Sequence, residues 1–153
     1  MKKYPLDQIM NRLSLLLLLG TVVFLTAFWQ RIPDEVPMHF NAAGEIDRWS
    51  SRTELLILPV ISWLVYGLLT VVEQIFRTWN AGGNGIKKQE QVHILLRHLL
   101  STLKLLVVVI FTWITVWCAL ALPLPVWFLP VTLVAVFGDM VYWIVRLIRA
   151  QSL

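Results

Sequence analysis

Charged side chains are scarce in this chain, and their scarcity excludes most classes of soluble protein. Only 14% of the 153 residues are Asp, Glu, Lys or Arg, whereas 58% are hydrophobic. A soluble domain has about 25% charged residues, so a globule of this composition would lack the polar atoms to cover its surface. Cysteine is nearly absent too, and the single Cys118 excludes an intrachain disulfide and a cysteine metal cluster. The composition therefore indicates a membrane protein rather than a cytosolic enzyme domain.

Apolar segments that meet or nearly meet the length of a transmembrane helix, about 20 residues, recur along the chain. These segments are residues 13–29, 55–76, 102–122 and 126–148. Only the short stretch Leu122-Pro-Leu-Pro125 connects the last two segments, which predicts a tight antiparallel hairpin of helices. The predicted fold is an all-α integral membrane protein, one domain over residues 1–153, with its helices in two antiparallel hairpins.

The start of the second apolar segment carries two helix signals. Ser51 and Glu54 have the spacing of a capping box, in which each side chain satisfies a backbone amide of the other residue. Pro59 follows, and inside a helix a proline removes one amide donor. We expect the helix to begin after Ser51 and to bend at Pro59.

Positive charges are distributed unequally over the segments between the predicted spans. Three of the thirteen Lys and Arg residues lie in the first loop, residues 30–54, which also contains five Asp and Glu residues. The other ten flank the opposite ends of the spans. Because Lys and Arg concentrate on the cytoplasmic side of a membrane, both termini are predicted to be cytoplasmic and loop 30–54 to be outside.

The second loop, residues 77–101, is predicted to be cytoplasmic and basic. It begins with a flexible, helix-breaking stretch at residues 81–85 and continues as an amphipathic segment, residues 86–98, along the membrane surface. A cytoplasmic protein partner at this segment is the alternative, and a nucleic-acid partner is not predicted because the cations are spread between apolar runs. The side chains expected to contact anionic lipid headgroups are Lys87, Lys88, His93, Arg97 and His98.

The first loop has the composition of a folded cap. Pro33 and Pro37 fix two backbone φ angles and stiffen the chain after helix one. Asn41-Ala-Ala-Gly44 has the composition of a β-turn, which would bring residues 38–40 back beside residues 45–49. The side chains expected near one another in this cap are His39, Asn41, Asp47 and Arg48.

The same loop carries a recognisable signature. The run Pro33-x-x-x-Pro37-x-His39-Phe40-Asn41-x-x-Gly44-x-x-Asp47-x-Trp49 closely resembles that of a domain of unknown function found at the N-terminus of SdpI-type bacterial immunity proteins. The resemblance covers about residues 12–75. The family usually has a Gly-Ser-Lys-like step before helix two, where this chain has Ser50-Ser51-Arg52. The last eighty or so residues do not resemble the family's second membrane region.

The resemblance implies a function in binding rather than catalysis. Better-known family members resemble receptors that recognise an exported antimicrobial peptide, protect the producing cell and in some cases hold a repressor at the membrane. By this resemblance the chain would be a multi-pass protein of the bacterial plasma membrane, with no cofactor, that recognises an extracellular peptide or lipid-like ligand through residues 31–52. The loop has no nucleophile beside a base, so no enzyme is predicted. The candidate ligand-binding residues are His39, Phe40, Asn41, Gly44, Asp47, Arg48, Trp49 and Arg52.

A metal site in the loop is one alternative. His39 with Glu45 and Asp47 offers an imidazole and two carboxylates, which suit zinc or manganese and would make the protein a membrane metalloenzyme. The competing interpretation is a histidine that stabilises the loop by a hydrogen bond to Asp47.

Asp139, inside the fourth apolar segment, suggests another alternative. A carboxylate within a span costs a few kcal/mol unless it is neutral, paired or hydrated. Asp139 shares a polar stripe with Tyr142 and Arg146, and we expect it to face Thr112 and Thr115 of helix three. This pattern is compatible with a small ion- or proton-coupled transporter or accessory subunit, or simply with hydrogen bonding between helices.

Overall fold

The structure is a computed structural model that describes residues 5–79 and 87–152. It consists of four long helices and one β-hairpin. The helices are α1 (Pro5–Phe28), α2 (Ile57–Trp79), α3 (Lys87–Ala119) and α4 (Phe128–Ser152). The strands are β1 (Glu35–Phe40) and β2 (Ile46–Ser51). The all-α prediction is therefore wrong in the first loop, where the turn at residues 41–44 pairs two strands.

All four helices are long and apolar enough to cross a membrane, as the sequence predicted. The largest differences from the predicted spans are at the starts of α1 and α3, which include residues 5–12 and 87–101. These extensions contain polar residues that lie outside the predicted spans. In the structure several of these residues bond to one another across the interface of α1 and α3, so the helices continue without a break. The flexible stretch predicted at 81–85 lies outside the described residues.

Helix α3 occupies the centre of the bundle. It packs against α1, α2 and α4, whereas α1 and α2 have few contacts with each other. Asp7 and Thr21 of α1 contact His98 and Thr112 of α3, so these two helices run parallel. Helix α3 packs against α4, as the short connection between them predicts, whereas α1 and α2 each pack mainly against α3 rather than against each other.

The face of α3 that is buried in the bundle is unusually polar for an apolar helix. Its buried residues lie at spacings of three, four or seven positions, which place them on one helix face. They are Ser101, Lys104, Val108, Thr115, Cys118 and Ala119. Ser101 and Lys104 of this face make polar contacts with α1 and α2.

The hairpin packs onto one end of the bundle, called here the hairpin end. Val36 of β1 is fully buried and joins a small apolar core with residues from α1, the start of α2 and the end of α3. The buried members of this core are Leu25, Ile32, Val36, Leu55, Cys118 and Ala119. The hairpin is therefore attached to the bundle by apolar burial and by backbone contacts described below.

The connection from β2 to α2 differs from the predicted capping box. Ser51 belongs to β2, and its hydroxyl lies 2.9 Å from that of Thr53. A short 3-10 turn, Glu54–Leu56, follows without a side-chain cap and leads into α2. Pro59 is the third residue of α2, in the first turn, where a helix leaves its amides without intrahelical partners anyway. The missing amide of Pro59 therefore interrupts no hydrogen bond of the helix.

Candidate functional site

The turn of the hairpin is organised by Asn41. Its side-chain oxygen accepts hydrogen bonds from the backbone amides of Ala43 (2.9 Å) and Glu45 (3.0 Å). The backbone amide of Gly44 donates to the carbonyl of Asn41 at 2.9 Å, and that of Asn41 donates to the carbonyl of Glu45 at the same distance. Asparagine favours such turns because its short side chain replaces a backbone acceptor. The predicted β-turn is confirmed.

The strand pairing is irregular at His39. Pro37 pairs with Trp49 and Phe40 with Ile46, but the register shifts on both sides of His39. A bulge of this kind changes the direction of one side chain relative to its strand. It brings Nδ1 of His39 to 2.5 Å from Oδ1 of Asp47.

The contact of His39 with Asp47 is the hydrogen bond that the alternative to a metal site predicted. Both side chains are substantially exposed, at 65% and 42%, so the contact contributes little to stability. The carboxylate of Glu45 instead accepts a 2.8 Å hydrogen bond from the side-chain amide of Asn41. Within the two described ranges, no three His, Cys, Asp or Glu residues are grouped so as to hold a metal ion. The metal alternative therefore has no geometric support there.

Gly44 joins the hairpin to the segment between α3 and α4. Its carbonyl accepts a 2.9 Å hydrogen bond from the amide of Leu124. Its φ angle is +83°, a conformation that glycine adopts without penalty. A Cβ added at this position would lie 2.3 Å from the carbonyl oxygen of Leu124. The hairpin approaches this segment so closely that only glycine fits.

Below the hairpin lies a cavity of about 530 Å³, called here the hairpin cavity. This volume is in the range of small-molecule sites, about 300–1,000 Å³. One wall is the turn and the end of β1, and the other is built from α2, α3 and the segment that leads into α4. The lining residues are Met38, His39, Phe40, Asn41, Ala42, Gly44, Leu58, Ile114, Cys118, Leu124, Pro125, Val126, Phe128 and Leu129. The lining is mainly apolar, with polar groups at the edge formed by the hairpin.

Half of the predicted ligand-binding residues line this cavity. They are His39, Phe40, Asn41 and Gly44. Asp47 contacts His39 at the edge, as described above. Arg48 and Trp49 lie on β2 and do not line the cavity, and Trp49 is 49% exposed.

Arg52, also predicted to bind ligand, makes contacts within the protein. Its guanidinium lies 5.6 Å from the ring centre of Trp29. It also donates to the carbonyl of Ile32 at 3.5 Å and lies 3.4 Å from the carboxylate of Asp34. The structure therefore places Arg52 as a link between the start of the hairpin and its end.

Asp139 is hydrogen-bonded, but not to the predicted partners. Its two carboxylate oxygens accept bonds of 3.0 Å from the hydroxyl of Thr102 and the indole nitrogen of Trp143. Thr112 instead contacts Thr21 of α1. The expectation that Asp139 faces Thr112 and Thr115 is wrong because those residues lie on the face of α3 toward α1 and α2, whereas α4 packs on another face.

The polar stripe predicted on α4 is divided between two environments. Asp139 is half-buried, while Tyr142 and Arg146 are exposed. Arg146 donates a 3.1 Å bond to the hydroxyl of Tyr142, and its guanidinium lies 5.7 Å from the centre of that ring. Arg146 is thus directed to Tyr142 rather than to Asp139.

The sequence analysis overlooked a buried ion pair between α2 and α3. The ammonium of Lys104 lies 2.9 Å from the carboxylate of Glu73 and donates a 2.9 Å bond to the side-chain oxygen of Asn11. The ring centre of Tyr66 is 5.1 Å away. The side chains of Lys104 and Glu73 are only 1% and 7% exposed. The signal was present, because both charges lie within predicted spans and have opposite signs.

A second buried cluster surrounds Asp7 of α1, another residue that the sequence analysis overlooked. One carboxylate oxygen lies 2.5 Å from Nδ1 of His98 and accepts a 3.3 Å bond from the hydroxyl of Ser101. The other lies 3.0 Å from the guanidinium of Arg97. The side chain of Asp7 is 2% exposed, so it forms a buried charged contact between α1 and α3.

These contacts correct the prediction for residues 86–98. Residues 87–98 belong to the long helix α3 and do not form an amphipathic segment distinct from it. Arg97 and His98 are directed into the bundle, and the ring of His93 lies 6.4 Å from that of Phe76 in α2. Of the residues expected at lipid headgroups, Lys87 and Lys88 have side chains outside the described part of the structure.

About a third of the chain is similar to known proteins. Residues 15–62 match a family described as "Domain of unknown function (DUF1648)". A protein of the archaeon Archaeoglobus fulgidus, described as uncharacterized, is 38% identical over 47 residues, which are 31% of this chain and 26% of that protein. The chain thus matches about a quarter of the length of this relative. No solved structure matches the chain.

The matched region contains the hairpin but only one wall of the hairpin cavity. Residues 15–62 include most of α1, both strands and the first residues of α2. Apart from Leu58 of α2, which lies within the matched residues, the other wall comes from residues of α3 and from the segment that leads into α4. The predicted resemblance to a domain of unknown function is confirmed for residues 15–62, a shorter range than the predicted 12–75.

Proposed function

We propose that this protein binds an amphipathic ligand, an extracellular peptide or a lipid-like molecule, in the hairpin cavity, and that it acts as a membrane protein of the immunity type. The hairpin cavity is the observation that carries this proposal. It combines the candidate residues of the family-like hairpin with a wall that the rest of the chain supplies.

The chemistry of the cavity suits a ligand with one polar and one apolar part. Leu58, Ile114 and Leu129 offer an apolar surface, and the His39–Asp47 pair lies at the edge. Ligand sites are commonly of this kind, with an apolar lining and a few polar groups that fix orientation. A ligand chain would pack within the cavity while its polar group remains beside His39.

The proposed orientation places the hairpin outside the bacterial plasma membrane and both termini in the cytoplasm. The distribution of Lys and Arg supports it. At the hairpin end, Trp113 stacks on Trp117 with ring centres 4.2 Å apart, and Trp127 packs edge-on against Trp113 at 5.8 Å. Tryptophan favours the interface of a membrane, so this cluster is compatible with a position near the outer headgroups. An exported antimicrobial peptide would reach the cavity from this side.

A resistance assay tests the proposal with two variants of the hairpin. Cells that express the wild-type protein should survive higher concentrations of a membrane-active antimicrobial lipopeptide than cells without it. His39→Ala should abolish the protection because it removes the polar group at the cavity edge. Trp49→Ala is the matched control: this exposed residue of the same hairpin does not line the cavity, so protection should remain. Equal protection by wild type and His39→Ala, at equal amounts of protein in the membrane, would contradict the proposal.

Ionisable residues inside the spans favour a second candidate function, that of a small ion- or proton-coupled transporter. Asp139, Glu73 and Lys104 are half-buried or buried within helices long enough to cross a membrane. Such residues are costly in a bilayer and often mark ion or proton pathways. Their side chains bond to neighbouring helices, which also fits a role in packing alone.

Proton flux into liposomes that contain the purified protein tests this second candidate. With a pH-sensitive dye inside and a potassium-diffusion potential, the wild-type protein should acidify the lumen faster than empty liposomes do. Asp139→Asn should abolish the difference, because the amide does not carry a proton at this position. Asp34→Asn removes a carboxylate whose side chain is 90% exposed, outside the spans, and should leave the flux unchanged. Wild-type flux in the Asp139→Asn protein would exclude Asp139 as the coupling residue.

A further inference from the structure

A second cavity lies between α3 and α4 at the end of the bundle opposite the hairpin. Its volume is about 420 Å³. It is lined by Gln91, Ile94, Leu95, Arg146, Arg149 and Ala150. The first three residues are near the start of α3 and the last three near the end of α4. The site is separate from the hairpin cavity and shares no lining residue with it.

The lining of this cavity is cationic on one side and apolar on the other. Arg146 and Arg149 are three residues apart on α4, a spacing that places both on one helix face. No Asp or Glu is among the lining residues that the structure describes. Arg146 donates a hydrogen bond to the hydroxyl of Tyr142, and this contact does not neutralise the positive charge of the guanidinium. Ile94 and Leu95 of α3 form the apolar side.

We propose that this cavity binds the phosphate headgroup of an anionic phospholipid from the adjacent membrane leaflet. The planar guanidinium of arginine presents paired donors that match phosphate oxygens. Basic pockets between membrane helices are typical sites for such headgroups. The acyl chains would lie along the apolar surface of α4, where Val145 and Ile148 are exposed. An acidic segment of a cytoplasmic protein has matching charge, but it would not use this adjoining apolar surface.

The site agrees with the proposed orientation but does not depend on a ligand at the hairpin. The positive charges predict that this end of the bundle is cytoplasmic, where anionic lipids attract basic residues by roughly 1 kcal/mol each. Loss of one arginine should therefore weaken lipid binding about five-fold, and loss of both about 25-fold.

Native mass spectrometry of the full-length protein in detergent gives a direct test. The probes are phosphatidylglycerol and phosphatidylcholine with identical acyl chains, added at equal concentration. The wild-type protein should retain phosphatidylglycerol in preference to phosphatidylcholine. Arg146→Gln and Arg149→Gln should each lower this preference about five-fold. Arg12→Gln removes an exposed cation from α1 at the same end of the bundle and should leave the preference unchanged.

Two further additions identify the source of the bound phosphate. Excess inorganic phosphate should not displace phosphatidylglycerol, because it makes no contact with the apolar surface beside the cavity. An acidic peptide at the same concentration should not displace it either. Displacement by either, equal retention of the two lipids by the wild-type protein, or an equal loss in Arg12→Gln and Arg146→Gln would overturn the proposal. Because Arg146 is exposed, the Arg146→Gln variant should unfold at nearly the same temperature as the wild type in phosphatidylcholine.

Discussion

Replacing Lys104 with Met should destabilise the protein by about 3–5 kcal/mol, because it leaves the carboxylate of Glu73 buried without its cation. The side chain of Glu73 is 7% exposed, so water does not compensate for the loss. Asn11 would still donate its weak bonds of 3.3–3.4 Å to this carboxylate. The free energy of unfolding, measured by titration with sodium dodecyl sulfate in mixed micelles, should fall accordingly. A matched Arg12→Met variant loses an exposed cation and should change stability by less than about 0.5 kcal/mol.

The double variant Lys104→Met/Glu73→Gln tests whether the ion pair itself is responsible. Removal of both charges should recover much of the stability, because a buried pair replaced by neutral groups is often close to neutral. The glutamine side chain introduced by Glu73→Gln would still offer an oxygen and an amide to the side chain of Asn11. The two substitutions should therefore be strongly non-additive. A loss of less than about 1 kcal/mol in Lys104→Met, or additive effects, would mean that the pair is not sequestered from water.

The sequence predicted those structural elements that are determined by residues adjacent in the chain. The four spans follow from uninterrupted apolar sequence, and the turn of the hairpin follows from Asn41 and Gly44 at its ends. The short connection at residues 122–125 correctly predicted that α3 packs on α4. In each case the residues that determine the element are adjacent in the chain, so one sequence is sufficient.

The starts of α1 and α3 were not predicted because the contacts that stabilise them join residues far apart in the chain. A basic amphipathic segment beside an apolar run is typical of the membrane surface, and this pattern predicted that Arg97 and His98 contact lipid headgroups. Asp7 is 91 residues from His98, and no local pattern reveals that they meet. In the structure these groups contact one another inside the bundle, and the helix continues through them.

The candidate site was predicted only on its hairpin side for the same reason. The motif identified His39, Phe40, Asn41 and Gly44, which line the hairpin cavity. It contained no information about most of the opposite wall, because Ile114, Cys118 and residues 124–129 lie beyond the family-like region. The hairpin considered alone is therefore an exposed recognition loop, whereas the bundle makes it one side of a cavity.

Gly44 is where the two walls meet, and substitution there should have the second large effect. Gly44→Ala should destabilise the protein by about 2–4 kcal/mol. This figure adds the cost of a positive φ angle for a residue with a side chain to the cost of a clash with the backbone. The added Cβ would lie 2.3 Å from the carbonyl oxygen of Leu124, which is backbone and does not rotate away. The hairpin must then move, and the 2.9 Å bond from the amide of Leu124 to Gly44 is lost.

Two comparison variants separate the causes of that effect. Gly67→Ala adds the same methyl group within α2, where nothing lies within 4 Å, and should stabilise the protein by about 0.5–1 kcal/mol. Gly44→Asn tolerates a positive φ angle better than alanine but still carries a Cβ. If the close approach to Leu124 dominates, Gly44→Asn should be as destabilising as Gly44→Ala in the titration with sodium dodecyl sulfate. In the resistance assay, both variants of Gly44 should lose the protection against the lipopeptide, and Gly67→Ala should retain it. Wild-type stability in Gly44→Ala would instead show that the hairpin does not rest on the segment before α4, and the cavity between them would lose its basis.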